Sequence, residues 1–207
     1  MDDEALLSLM RDIVAGARPA VLARLREEPE LTTARLEHGA TRQQSTEFFF
    51  TDIGHYVYEG DTALHVAAAA HEVALVGELV VAGAAVDASN RRAARPLHYA
   101  VDGDPASDRY DSVLQRGTVE ALMKFGADPN AVDANGTTPL LRAIRNRCSS
   151  AVEALLEGGA DPKVKTKRGS SALQLATTST GRGGSGSAEA QAEQAVIVRL
   201  LEAAVSG

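Results

Sequence analysis

The sequence predicts an all-α solenoid of helix-turn-helix units stacked in series, with one long β-hairpin finger near the N-terminus. Three observations predict it. Leu64, Leu97, Leu140 and Leu173 recur in one short phrase at intervals of 33, 43 and 33 residues. The phrases read Thr62-Ala-Leu-His65, Arg95-Pro-Leu-His98, Thr138-Pro-Leu-Leu141 and Ser171-Ala-Leu-Gln174. A second phrase keeps step, in Val81-Ala-Gly-Ala84, Lys124-Phe-Gly-Ala127 and Glu157-Gly-Gly-Ala160, so Gly83, Gly126 and Gly159 repeat the spacing of 43 and 33. One segment, 36–61, breaks the period and holds five of the chain's eight aromatic residues. A unit copied at fixed length marks a stack of modules that bury their apolar faces on one another.

Residues 1–35 read as a capping helix pair. Asp2 and Asp3 suit a helix N-terminus, Leu6, Leu7, Met10, Ile13 and Val14 supply an apolar stripe, and Gly16 ends it. Pro19 fits the first turn of a second helix, and Pro29 closes the pair. In segment 36–61, two β-prone runs flank Asp52-Ile53-Gly54, which predicts a hairpin with glycine at the turn. The first repeat, 62–90, carries helices over about 63–70 and 73–82, with Gly83 as a left-handed stop. The second, 91–134, begins its helix at Pro96 and resumes near Thr118. Leu97 to Gly126 spans 29 residues against 19 for Leu64 to Gly83, so ten residues are inserted, within 102–116. The third, 135–167, has plain length, with a first helix read as running through Cys148. The last, 168–207, holds a Gly/Ser-rich insert, 178–193, and a terminal helix over 188–205.

These phrases resemble the ankyrin repeat, in its bacterial type. Its pattern runs roughly Gly-x-Thr-Pro-Leu-His-x-Ala-Ala, then Val-x-x-Leu-Leu-x-x-Gly-Ala-Asp. The likeness covers about Tyr58 to Val205. It implies an ankyrin solenoid whose fingers and inner helices form an extended surface for other proteins. In that family the phrase His and its neighbouring Thr tie one turn to the next, which gives His65, beside Thr62, a structural role. His98 departs from the pattern, because Arg95 stands where the Thr belongs, and its imidazole is a candidate acid, base or ligand donor. The next register reads Val66, Tyr99, Arg142, Leu175, and the family keeps it apolar. Tyr99 and Arg142 therefore sit in neighbouring layers, about 10 Å apart. They form either a buried Arg-on-Tyr stack or a clamp for an anion or carbonyl group. Arg145 and Arg147 share the short helix of Arg142, and Arg147 reads as part of a solvated face.

Composition narrows the function. The chain has 207 residues, 44% hydrophobic, and a formal charge of −7, which argues against a nucleic-acid partner. The single cysteine, Cys148, forms no internal disulfide and belongs to no zinc-type pair. The acidic start and the lack of a long apolar run predict a cytoplasmic protein without membrane attachment. No cofactor fingerprint occurs, and His38, His55 and His71 lack metal-ligand spacing. The Gly181–Ser187 loop has no Gly-Lys-Ser/Thr ending, and reads as a connector or as an anion cradle around Arg182.

Two functions compete on these residues. The leading one is a noncatalytic binding module that recognises a protein through Phe48, Phe49, Tyr56, Tyr58, Tyr99, Arg142, Arg145 and Arg182, residue types that dominate binding hot spots. The alternative is a cofactor-independent lyase, cyclase or isomerase with a pocket between finger, inner face and inserts. There His98 or His55 is the acid or base, Tyr58 supplies a hydrogen bond, and Arg142 stabilises an enolate-like charge on an anionic or carbonyl ligand. Self-association through the hairpin is a third reading. The oligomeric state is not read from the sequence.

Overall fold

A computed structural model describes residues 3–41, 45–178 and 187–206. Asp2, Arg182 and half of the Gly/Ser-rich insert, residues 179–186, lie outside the described residues. The chain opens on two helices, α1 (Asp3–Val14) and α2 (Arg18–Glu27). The α1 stripe buries Leu6, Leu9, Met10 and Ile13, and α1 packs on the first repeat's inner helix. Asp3 does more than complement the dipole of its helix. Its carboxylate accepts hydrogen bonds from the backbone N–H groups of Glu37 (2.7 Å) and His38 (2.9 Å), which ties the cap to the base of the finger.

Four helix pairs follow. The inner members are α3 (Ala63–Ala69), α5 (Pro96–Ala100), α7 (Pro139–Asn146) and α9 (Ala172–Thr177). The outer members are α4 (Val73–Val81), α6 (Ser112–Lys124), α8 (Ser149–Glu157) and α10 (Ala188–Ser206). Inner helices stack on inner and outer on outer, so residues one repeat apart in sequence become neighbours. Gly83, Gly126 and Gly159 all adopt positive φ (108°, 93° and 89°), the left-handed stop that a Cβ would strain.

Small side chains make this close stacking workable. Six of the seven α3 residues are Ala, Val or Leu, all of α3 is buried, and the layers share one continuous apolar core. The phrase histidines join the layers. His65 Nδ1 accepts from the Thr62 N–H (3.2 Å) and lies 3.0 Å from its hydroxyl, while Nε2 faces the Ala94 carbonyl at 3.2 Å. His98 repeats this: Nδ1 accepts from the Arg95 N–H (3.2 Å) and Nε2 faces the Thr137 carbonyl (3.0 Å). A carbonyl only accepts and an amide N–H only donates, so both rings carry the proton on Nε2. His98 thus keeps its inter-repeat tie without the threonine. It is fully buried, not a free acid or base.

Three further expectations are corrected. The second repeat's outer helix begins at Ser112, six residues before Thr118, because Asp111 caps it by accepting from the N–H groups of Val113 (2.9 Å) and Leu114 (3.0 Å). Helix α7 stops at Asn146, and Arg147 takes a left-handed conformation (φ 63°). Arg147 is also buried, not solvated: its guanidinium donates to the carbonyls of Leu175 (3.3 Å), Ala176 (2.9 Å) and Thr178 (2.8 Å), at the end of α9. Those carbonyls form the negative pole of α9, which offsets part of the cost of burying the charge.

The finger is a hairpin of two short antiparallel strands, β1 (Phe49–Phe50) and β2 (His55–Tyr56), with Phe49 opposite Tyr56 and Phe50 opposite His55. Gly54, at φ 59°, completes the turn. Strand alternation sorts the aromatics by face. Phe48, Phe50 and Val57 enter the core, whereas Phe49 and Tyr56 stack outside it, ring centroids 4.6 Å apart. Phe48 is therefore a packing residue, not a contact residue. Among the described residues no helix is long and apolar enough to cross a membrane.

Candidate functional site

Hairpin, inner helices and second-repeat insert enclose a cleft of about 1080 Å³. The hairpin supplies one wall through residues 51–56 and Tyr58. The end of α3, Tyr99 on α5, and Arg142, Arg145 and Asn146 on α7 supply the floor and far side, and Asp102 to Tyr110 close one end. All four tyrosines of the chain line it: Tyr56, Tyr58, Tyr99 and Tyr110. So do Arg92, Arg109, Arg142 and Arg145.

At its centre stands Asp102, the first residue after the α5 cap. Arg142 grips both carboxylate oxygens, with Nε 2.7 Å from Oδ1 and Nη2 on Oδ2. Asn146 Nδ2 donates to Oδ1 (2.9 Å), and His55 Nε2 lies 2.8 Å from Oδ2. Asp102 thus links the finger, the second repeat and the third repeat through one side chain. The second ring nitrogen of His55 lies 2.6 Å from the Tyr56 carbonyl, so both nitrogens face protein acceptors. Burial pushes the Asp102 carboxyl up, but the Arg142 charge and the bonds from His55 and Arg142 hold it well below the usual carboxylate range. Desolvation works against the Arg142 cation and Asp102 outweighs it, so its affinity for the proton rises.

Beneath this hub lies a second polar layer. Tyr99 is 1% exposed, its ring 4.3 Å from that of His55 and 5.7 Å from the Arg142 guanidinium carbon. Its hydroxyl donates to Asp61 Oδ2 (2.7 Å) and accepts from Asn90 Nδ2 (2.9 Å), which also donates to Asp61 Oδ1 (2.8 Å). Burial and the Asp61 charge push the Tyr99 phenol far above its ordinary range, so it stays a neutral donor. The Arg142 guanidinium lies over the Tyr99 ring, so the two side chains lean together across a helix spacing of about 10 Å.

The sequence-predicted residues divide by position. Tyr56, Tyr58, Tyr99, His55, Arg142 and Arg145 meet in the cleft. Tyr56 is the most open of the tyrosines, at 38% exposure. Tyr58 lies under two guanidiniums, with Arg92 at 4.8 Å and Arg91 at 5.5 Å from its ring centroid. Phe49 backs Tyr56 outside the lining. His98 lies beneath the floor, where burial and then the Arg142 charge lower its pKa to about 4. Asp102, Asn90 and Arg92 were not anticipated. Asp102 opens the insert, five residues past Leu97, where the other units carry Ala69, Arg145 and Thr178, so no shared residue type marked the position. Cys148 is buried and its thiol is pushed up to about 12 by desolvation, which makes it unreactive.

The repeat architecture decides the family. The profile described as ankyrin repeat matches residues 59–91 and 95–134, and the one described as ankyrin repeats (many copies) matches 122–176. The chain belongs to the ankyrin-repeat family. No curated protein matches it. Ankyrin repeats are protein-interaction modules, and the matched stretch of this ankyrin array starts at residue 59. The hairpin that walls the cleft precedes it. The ankyrin repeats thus supply the floor, and the finger and insert add the walls. Among the described residues, no group of three His, Cys, Asp or Glu is placed to hold a metal ion.

Proposed function

We propose that this ankyrin-repeat protein is a noncatalytic binding module of the cytoplasm that takes a segment of a protein partner into the cleft between finger and inner helices. One observation carries the reading: three accessible tyrosines, Tyr56, Tyr58 and Tyr110, and four arginines line one concavity above the buried Tyr99. Tyr and Arg supply large amphipathic contact area at low entropic cost, and they dominate interface hot spots. The volume points the same way. Small-molecule pockets run from about 300 to 1,000 Å³ and enclose their ligand. This cleft, at about 1080 Å³ and open on one side, suits a length of chain better.

The alternative, a small-molecule site with proton-transfer chemistry, draws support from the preorganised Arg142–Asp102–His55 cluster at the cleft centre. Against it, both His55 nitrogens are engaged, Asp102 neutralises Arg142, and His98 is out of reach of the cleft. Affinity capture separates the two readings, with wild type beside a Tyr56→Ala/Arg92→Ala variant that alters exposed side chains only. Recovery of a discrete protein from wild type, reduced at least tenfold with the variant, supports the binding module. A copurifying metabolite, with no protein lost in the variant, contradicts it.

A further inference from the structure

Each carboxylate that lines the cleft has at least one protein partner. Asp102 accepts from Arg142, Asn146 and His55. Asp133 accepts from the N–H groups of Asn135 (2.8 Å) and Thr137 (2.9 Å), Asp104 accepts from the N–H of Ala106 (3.1 Å), and Asp52 pairs with Arg109 at 3.7 Å. Arg92 differs. Among the described residues its guanidinium meets only the face of Tyr58. A contact with a ring face uses none of the five N–H donors of a guanidinium, whose fork grips a carboxylate through two parallel bonds. The base of this side chain is fixed: the Arg92 N–H donates to Asn90 Oδ1 (2.8 Å), and its carbonyl accepts from the N–H of Ala134 (2.8 Å), at the other end of the same repeat. Arg91 adds a second positive charge over the same ring.

We propose that the segment taken up by the cleft is acidic, and that an Asp or Glu side chain of the partner docks on the Arg92 fork above Tyr58. This rests on the reading of the cleft as a polypeptide site. The Arg92 fork supplies donor capacity that no protein group takes up among the described residues, held over the Tyr58 ring. The chain's formal charge of −7 repels an acidic segment at long range. The attraction is therefore local, within a screening length of about 8 Å at physiological ionic strength, and contact geometry decides specificity.

The test is selection of random decapeptides, displayed on phage, against the full chain and against Arg92→Gln, Arg92→Glu and Tyr56→Ala variants. Wild type is expected to enrich peptides rich in Asp and Glu. Synthetic copies of those peptides should bind Arg92→Gln about tenfold more weakly, the loss expected for one charge-assisted hydrogen-bond pair. Arg92→Glu should lose them and enrich Lys and Arg instead. Apolar or basic peptides from wild type, weakened by Tyr56→Ala but indifferent to position 92, would overturn the acidic-partner proposal and leave the cleft reading standing. No enrichment, or binding unchanged in every variant, overturns both. Arg92 is exposed and Tyr56 faces the cleft, so these variants fold, and circular dichroism checks that they do.

Discussion

At the residue scale the decisive group is Asp102. Four donors from two other parts of the chain converge on its carboxylate, and it has no equivalent in the other repeats. Asp102→Ala leaves Arg142 part-buried without its counter-ion, with a cost of about 2–3 kcal/mol, somewhat under the range for a fully buried pair. Urea melts measure that cost, and the finger should exchange its amide hydrogens faster in the variant. Cys148 yields a simpler expectation. Its buried thiol should resist Ellman's reagent in native buffer and react at once in guanidinium.

Histidines set the pH response. Burial holds the pKa values of His65, His71 and His98 below the unfolded value of 6.5, that of His98 at about 4. Between about pH 6.5 and 4 the unfolded chain binds more protons than the folded one, so stability falls as pH falls through that window. His98 alone contributes on the order of 3 kcal/mol to the fall. Asp102 has the same sign of linkage in a more acidic window: its depressed pKa makes its contribution present above the unfolded value of 3.8 and lost as pH falls below it. Urea midpoints at pH 7.5, 6, 5 and 4 should decline steadily, and His98→Gln, weaker at pH 7.5, should show a shallower decline. Equal slopes would show that His98 keeps its proton equilibrium on folding.

At the element scale, periodicity made the helices legible and insertion hid the rest. The Leu64 and Gly83 registers located the pairs because each copy checks the others. The start of α6 escaped because Asp111 caps a helix inside an insert, where no second copy offers a comparison. Arg147 escaped for a different reason. Charge suggested solvent, but its side chain crosses to the next repeat and satisfies three carbonyls at the end of α9. Arg147→Met keeps the bulk and removes those bonds. It should raise amide exchange in α9 and α10 and leave α1 to α4 unchanged, since repeats couple mainly to their neighbours.

For the whole molecule, the ankyrin array could be recognised from sequence, whereas the cleft was legible only as a set of anomalies. Tyr99 and Arg142 at apolar registers and the aromatic finger all belong to it. Their meeting at Asp102 depends on how the insert folds back, which spacing does not encode. The claim everything else depends on is that this cleft, not the outer helices, meets a polypeptide partner. Site-specific photo-crosslinking tests it most directly, with benzoylphenylalanine at Tyr56 in the cleft and at Val81, which is 80% exposed on the outer helix α4. A discrete protein adduct is expected from position 56 and none from position 81. An adduct from 81 alone, or equal yields from both, would contradict the claim.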